Sequence, residues 1–587
     1  MMKCLGTYVS GLIILGFIIN KPAYAQSAKA FVTQSGFYTN GPKTIILTHA
    51  KANEPFGIID LDTRQNVFAG RLTSGRKSPT ADITGYAAEF SALKKNGYYA
   101  IQYKGQNLDS FYIQPAVYHA LSAGAIKSYY YQRASMPLLP QYAGKWHRGA
   151  GHPDTIVYIH PSALGDTHPA GARIKSPGGW YDAGDYNKYI VNAGITMGTL
   201  LTAYEDFSGY YDTLSLNIPE SGNGIPDIIN EIIYNLRWML TMQDTDGGVF
   251  TKCTNAAFDG MVMPGITKDK RYVVKKSTAA TLDFAAVTAQ AARIMKAMPG
   301  LRQLSDSCLT AANKAWQWAI KNPKLYYDQD AMNKQYQPAI TTGGYGDKKL
   351  EDEWFWAAAE LYITTRDTFF LNYAQQYWQP VYDLQGWPNV GMMGCYTLLK
   401  HATAVALPES FVSQLKQRLW QLADEYLAVQ NKTAFATVMG YNAANYSWGS
   451  NAVAANQAML LIKTYLLNGQ TKYVHAALTN LEYLTGRNAT EYSFITGFGK
   501  KTPMYPHHRP SAADGITEPV PGFLVGGPNR HAAAQDKCVY NSLVPELQYT
   551  DAACSFASNE IAINWNAPLV YITGAMESIK YQLQFND

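Results

Sequence analysis

Charge is scarce in this 587-residue sequence. Asp, Glu, Lys and Arg make up 16% of it, against roughly a quarter in an average soluble protein. The net charge is +5, and no run of Lys or Arg occurs, so the electrostatic footprint of a nucleic-acid binder is missing. No cysteine pair has the CxxC spacing of a zinc site. Beyond the N-terminus no stretch is long and apolar enough to span a membrane. The start itself reads as a secretory signal over residues 1–25. Lys3 supplies the positive charge, "LGTYVSGLIILGFII" the apolar run, and "AYA" at 23–25 the small-x-small cleavage pattern, so the mature chain starts at Gln26. Secretion to the periplasm or the medium follows as an expectation. Cys4 leaves with the signal. Cys253, Cys308, Cys395, Cys538 and Cys554 remain, an odd number, so at least one is unpaired or pairs between chains. Cys538 and Cys554 are candidates for a bridge, which the sequence does not decide.

What the chain has instead is aromatic side chains, 13% of the total, with 43 Tyr and 12 Trp. Most serve packing. A surplus beside so little charge also suits a surface that meets flat apolar faces, and sugar rings present such faces. The pattern divides in two. Residues 26–116 read as a small β-sandwich: "KTIILTH", "FGIIDL" and "GYYAIQY" are short β-rich runs separated by turn residues. From about residue 117 to the end the periodicity is helical. "GIPDIINEIIYNLRWMLTMQD" puts Ile225, Ile228, Ile229, Ile232, Leu236, Met239 and Leu240 on one face, with Pro226 at a first-turn position. Residues 277–295, 352–365 and 448–467 repeat the style, and glycine-rich loops such as "TTGGYGD" punctuate it. Helical hairpins around a common core would gather loops from distant parts of the chain at one end.

Three segments offer chemistry. "GGWYDAGDYNKY" (178–189) holds Asp182 and Asp185 three apart. "SFITGFGKKTPMYPHHRP" (493–510) holds His507 and Arg509, and "YTDAACSFASNEIAINWNAP" (549–568) holds Asp551 and Glu560. Carboxyl groups brought together push one another's pKa values apart. One stays ionised as a base while another keeps its proton as an acid. Inverting glycoside hydrolysis needs that division, with acid and base roughly 6.5–9.5 Å apart around a water. Singly these motifs are weak: Asp-x-x-Asp is more often a turn, a helix cap or a calcium ligand pair.

Together, in this order, they resemble glycoside hydrolase family 9, the inverting cellulases with an (α/α)6 barrel. The segment 493–509 fits the family's histidine signature and 549–567 its acidic signature. "SGNGIPDIINE", "MQDTDGGVF", "WGSN" and "GGPN" look like further family blocks. The β-rich front resembles the immunoglobulin-like domain that precedes the barrel in one branch, a strut packed against it. The resemblance implies that Glu560 is the general acid, Asp185 the general base and Asp182 its partner in holding the water. It implies sugar contacts for His507 and Arg509, and places Asp551 with the substrate-binding residues, supporting the acid's surroundings. Trp448 matches a sugar-stacking position, with a core tryptophan as the alternative.

No cofactor is needed for the chemistry. The branch holds a structural zinc whose cysteines would fall near Ala134 and Gly151; both are absent though His152 remains, so loss of that site is expected. Asp352 and Glu353 match a structural calcium position, where oxygen ligands suit a hard cation; an acidic pair complementing a helix N-terminus is the alternative. The expected activity is an endo-β-1,4-glucanase acting as a monomer on a β-glucan polysaccharide or oligosaccharide, with no nucleic-acid partner and no membrane after signal cleavage. An exo-acting member of the same family is the other reading. It would need one end of the cleft closed, for which the insertions 259–276 and 501–550 are long enough. A lectin-like protein without catalysis, or a lyase, fits the Asp–Asp–Glu set less well.

Overall fold

The computed structural model describes residues 27–585, so the expected signal at 1–25 lies outside the described residues. Strands fill the front. One sheet runs in the order Lys29–Phe31, Thr44–Thr48, Thr84–Glu89, Arg76–Lys77; the other runs Phe37–Tyr38, Gln106–Gln114, Gly97–Tyr103, Pro55–Asp60, Asn66–Arg71. The predicted runs are strands of these sheets. Their alternate residues, among them Ile45, Leu47, Phe56, Ile58, Ile101 and Phe111, bury a common core between the layers.

From His119 onward the chain is mainly helical, with twelve helices of ten residues or more among the described residues and one small sheet in the order Arg173–Ile174, Val157–Ile159, Arg271–Val273, Lys252–Asn255, Lys188–Tyr189. Six of them close a ring: Ile190–Tyr211 packs on Thr278–Met295, which packs on Glu351–Thr365, then Gly391–His401, Ser450–Asn468 and Ile563–Ile579, which returns to the first. The other six lie outside, each against its ring partner: His119–Tyr131, Asp227–Thr241, Arg302–Lys321, Thr368–Tyr377, Glu409–Gln430 and Thr471–Leu484. This is the (α/α)6 barrel. The sequence difference between the rings has a physical cause. Inner helices are covered on all sides, so Thr278–Met295 is apolar and alanine-rich around its whole girth and buries sixteen of its residues. Outer helices face water on one side, so Asp227–Thr241 keeps one apolar stripe and leaves Arg237 exposed. Pro226 is the cap residue just before that helix, one position earlier than the first turn.

The sandwich is joined to the barrel by buried polar contacts. Tyr38 Oη donates to Glu577 Oε1 at 2.7 Å, and the same oxygen accepts the Tyr118 amide at 2.8 Å. Gln34 N donates to Thr485 O at 2.7 Å, and Phe31 packs edge-on against Phe435. A domain fixed in this way acts as a strut. Cys538 and Cys554 form a disulfide; Cys253, Cys308 and Cys395 are free and buried. Among the described residues no helix is long and apolar enough to cross a membrane.

Candidate active site

The three chemical segments meet through their backbones. Ala183 and Ala562 form an antiparallel bridge, and His507 and Glu560 a parallel one. Ile563 N donates to Asp182 O at 2.9 Å, His507 N to Asn559 O at 2.8 Å, and Arg509 N to Gly184 O at 3.1 Å. Glycines let these strands close up. Gly526 N donates to Glu560 O and Gly527 N to Ser558 O, each at 2.8 Å, so the "GGPN" block supports the acid's segment from behind.

The carboxylates project into one cleft of about 1050 Å³, at the upper end of ordinary ligand pockets. Asp182 and Asp185 are buried at its floor. Glu560 has some surface open to the cleft but is closely surrounded by protein. Asp182 is held at both oxygens: Asn192 Nδ2 donates to Oδ1 at 2.7 Å and Tyr345 Oη to Oδ2 at 2.8 Å. Asp185 is held at one. The Asn187 backbone amide, the Asn187 side-chain amide and Tyr189 Oη all donate to Oδ2, and Oδ1 accepts no hydrogen bond from the described residues.

Burial, then the Asp185 charge, pushes the Asp182 carboxyl up to about 8. Burial, then Asp185, raises Glu560 well above the usual carboxyl range, against the opposing pull of Arg509. A protonated Glu560 carboxyl thus faces the aspartate pair at neutral pH.

His507 Nδ1 lies 2.6 Å from Ala553 O. A carbonyl only accepts, so Nδ1 carries the hydrogen and Nε2 is left as an acceptor. Burial lowers its pKa and keeps the ring neutral. Arg509 spends two donors on carbonyls, Nε on Asp259 O at 2.9 Å and Nη1 on Gly184 O at 2.8 Å; it lines the cleft and also clamps the Asp182–Asp185 loop. Trp448 lines the cleft 44% exposed, its ring 5.4 Å from Phe556, so it is not a core tryptophan.

Two groups of predicted residues fall elsewhere. Asp551 does not reach the cleft lining. Its carboxylate accepts the amides of Met504 and Tyr505 and the side chain of Asn559, which ties the histidine segment to the residue before Glu560. It supports the acid's surroundings as a brace between the histidine segment and Asn559. Asp352 and Glu353 are also away from the cleft, buried in the first turn of Glu351–Thr365. Asp352 Oδ2 accepts the Val390 amide at 2.7 Å. Both oxygens of Glu353 and of the facing Asp283 are buried without a hydrogen-bond partner, and burial, then the neighbouring Asp352 charge, raises both well above the usual carboxyl range. No three His, Cys, Asp or Glu side chains among the described residues group as a metal-holding set. At the expected lost zinc position, Ala134 is buried, Gly151 abuts Pro264 and the Tyr181 hydroxyl, and His152 Nδ1 pairs with that hydroxyl at 2.9 Å.

The sequence reading missed Tyr345, Tyr189 and Asn192, which orient the aspartates, and Trp387 and Trp565, which line the cleft. Tyr189 closes the first quoted block, and Tyr345 sits in the "TTGGYGD" loop read only as punctuation. Nothing local marks Asn192 or Trp387. Of the two insertions, 259–276 adds no lining residue and 501–550 adds only His507 and Arg509.

A closed double ring of helices with an acidic pair, a protonated glutamic acid and tryptophans along one open cleft defines a glycoside hydrolase. The sequence profile of Glycosyl hydrolase family 9 matches residues 118–573, and that of the Cellulase N-terminal ig-like domain matches 25–107; the chain belongs to glycosyl hydrolase family 9. It is 42% identical over 555 residues to a xyloglucan-specific endo-beta-1,4-glucanase of Bacteroides ovatus, covering 93% of each chain. It is 33% identical over 513 residues to endoglucanase D of Acetivibrio thermocellus, covering 86% of this chain and 77% of that one. A solved Bacteroides ovatus structure of the family superposes with a TM-score of 0.88 at 42% identity, covering 94% of this chain and 99% of that one.

Proposed function

We propose that the chain is an endo-β-1,4-glucanase that cuts internal bonds of a β-glucan with inversion, and that xyloglucan is the first substrate to test. The observation that carries the reading is the unequal holding of the two aspartates. Asp185 keeps one oxygen free of donors from the described residues, while each Asp182 oxygen accepts one and keeps a second lone pair. A water on Asp185 Oδ1 is then the nucleophile. It attacks the anomeric carbon from one face, and its proton passes to Asp185. Glu560 gives its proton to the glycosidic oxygen on the other face as the carbon–oxygen bond breaks. Asp182 orients the same water. His507 Nε2 accepts from a sugar hydroxyl, and Trp448 offers its face to a glucose ring.

The endo reading rests on the endoglucanase relatives and on the cleft, to whose lining the long insertions add only His507 and Arg509; the xyloglucan reading rests on the Bacteroides ovatus relative. Tamarind-type xyloglucan, carboxymethylcellulose and cellohexaose decide both. An endo-acting enzyme drops the viscosity of its polymer early, with few reducing ends. Release of a single small sugar at steady viscosity would overturn the endo reading, and preference for the unbranched polymer the xyloglucan one.

The reading includes a secreted monomer, and a structural calcium at Asp352 and Glu353. The orphaned buried oxygens of Glu353 and Asp283 fit a hard cation, which would also draw on backbone and water oxygens. A chelator should lower the melting temperature and added calcium restore it, with a stabilisation of about 2.7 kcal/mol at a hundredfold excess over Kd. Melting that ignores both would remove the calcium.

A further inference from the structure

A buried lysine lies behind the acidic pair, and no chemistry above uses it. Lys252 begins the strand Lys252–Asn255 and stands directly opposite Tyr189 in the ladder with Lys188–Tyr189. Cross-strand partners share a face, and the ammonium sits 5.4 Å from the centre of the Tyr189 ring and 5.6 Å from that of Tyr327. The side chain is fully buried. Its three donors find three neutral acceptors: Gln329 Oε1 at 2.6 Å, Gly343 O at 2.7 Å and Thr342 Oγ1 at 3.1 Å. No carboxylate forms an ion pair with it among the described residues. A buried cation with only neutral acceptors is expensive to keep, which calls for a reason.

The reason lies in what those acceptors carry. Gly343 N donates to Tyr189 Oη at 3.0 Å. That hydroxyl has its own hydrogen left, and gives it to Asp185 Oδ2 at 3.3 Å. Two residues on, Tyr345 Oη donates to Asp182 Oδ2, while its ring packs 4.9 Å from Tyr189 and 5.3 Å from Trp387. The corner Thr342–Gly343 thus sets both tyrosine hydroxyls, and Gln329 Nε2 on Thr342 O and Lys252 on Gly343 O hold the corner.

We infer that Lys252 is a positioning residue for the reaction: its buried ammonium fixes the Thr342–Tyr345 corner that aims Tyr189 and Tyr345 at Asp185 and Asp182. This rests on the assignment of Asp185 as base. Asp185 is the one acid whose charge supports the ammonium, and burial brings the lysine down to about 7. His160, Tyr189 and Tyr327 also face Lys252, and Asp182, Glu560, His507 and Tyr189 face Asp185. The other cation beside the acidic pair is Arg509, whose Nη1 donates to Gly184 O at 2.8 Å, and the lysine variants leave it in place.

The test is steady-state kinetics across pH on Lys252→Met, Lys252→Arg and Asp185→Asn, with circular dichroism and melting to check folding. Lys252→Met should lower kcat about tenfold or more and leave KM within about twofold. Loss of the cation removes a positive charge from behind the acidic pair, so the acidic limb of kcat/KM should move up by about half a pH unit or more. Lys252→Arg keeps the charge and should keep the limb in place. A folded Lys252→Met enzyme with wild-type kcat and limb overturns the inference. If Lys252→Met does not fold, Thr342→Val decides, since it takes one acceptor from the ammonium and leaves the cation. It should lower kcat several-fold at unchanged KM, and a wild-type kcat there overturns the inference. Full activity in Asp185→Asn removes the base assignment underneath; an inactive Asp185→Asn beside an unaffected Lys252→Met removes this inference alone.

Discussion

Gly184 lies so close to His507 that a Cβ at position 184 would fall 2.0 Å from the His507 carbonyl oxygen. The glycine between the two aspartates is there for this contact. It lets the Asp182–Asp185 loop accept Arg509 N and meet the histidine segment that is bridged to Glu560. Gly184→Ala should therefore damage catalysis without touching a carboxylate. The expected result is a folded barrel with kcat down about a hundredfold. Activity on soluble xyloglucan or cellohexaose, beside a far-ultraviolet dichroism spectrum, checks it. Wild-type kcat would mean that the loop spacing does not matter.

Glu560→Gln removes the proton donor and keeps the shape. Hydrolysis of an unactivated glucan should fall about 10²–10⁴-fold. An aryl glycoside whose leaving group needs no protonation should lose much less. Equal losses on both substrates would take the acid role away from Glu560.

Asp182 pays for its place in stability. Its folded pKa, about 8, stands above the ordinary value of 3.8, so the folded state binds the proton more tightly than the unfolded one. Its contribution is full below the ordinary value and is lost as pH rises from about 4 towards 8. Asp182→Asn should be inactive, and at pH 8 more stable than wild type by about 1–3 kcal/mol. The difference should shrink towards pH 4. Melting curves at both pH values check it, and a difference that grows on acidification would reverse the sign.

Trp448→Ala takes away a 44% exposed ring whose one aromatic neighbour among the described residues is Phe556. If that ring binds sugar equally in the ground and transition states, KM should rise about tenfold, or 1.4 kcal/mol, at near-constant kcat. Isothermal titration of an inactive Glu560→Gln background with oligosaccharide measures the binding loss directly.

Much of this was legible along the chain, because periodicity is a local property. The sandwich strands alternate, the outer helices carry one stripe, and inner helices such as 278–295 are alanine-rich all round. The carboxylates and histidine announced themselves through dense blocks of sequence. What the chain could not say was which oxygens of each aspartate are held. That depends on Asn192, Tyr189 and Tyr345, supplied by a helix, a strand and a loop up to 163 residues from Asp182. Nor could it say that Asp551 spends its carboxylate on backbone amides, or that Lys252 is buried behind the pair. Residue type and spacing determined the fold class and the reacting groups. Hydrogen-bond partners, burial and the raised carboxyl pKa values depend on distances across the barrel, and only the tertiary structure sets those.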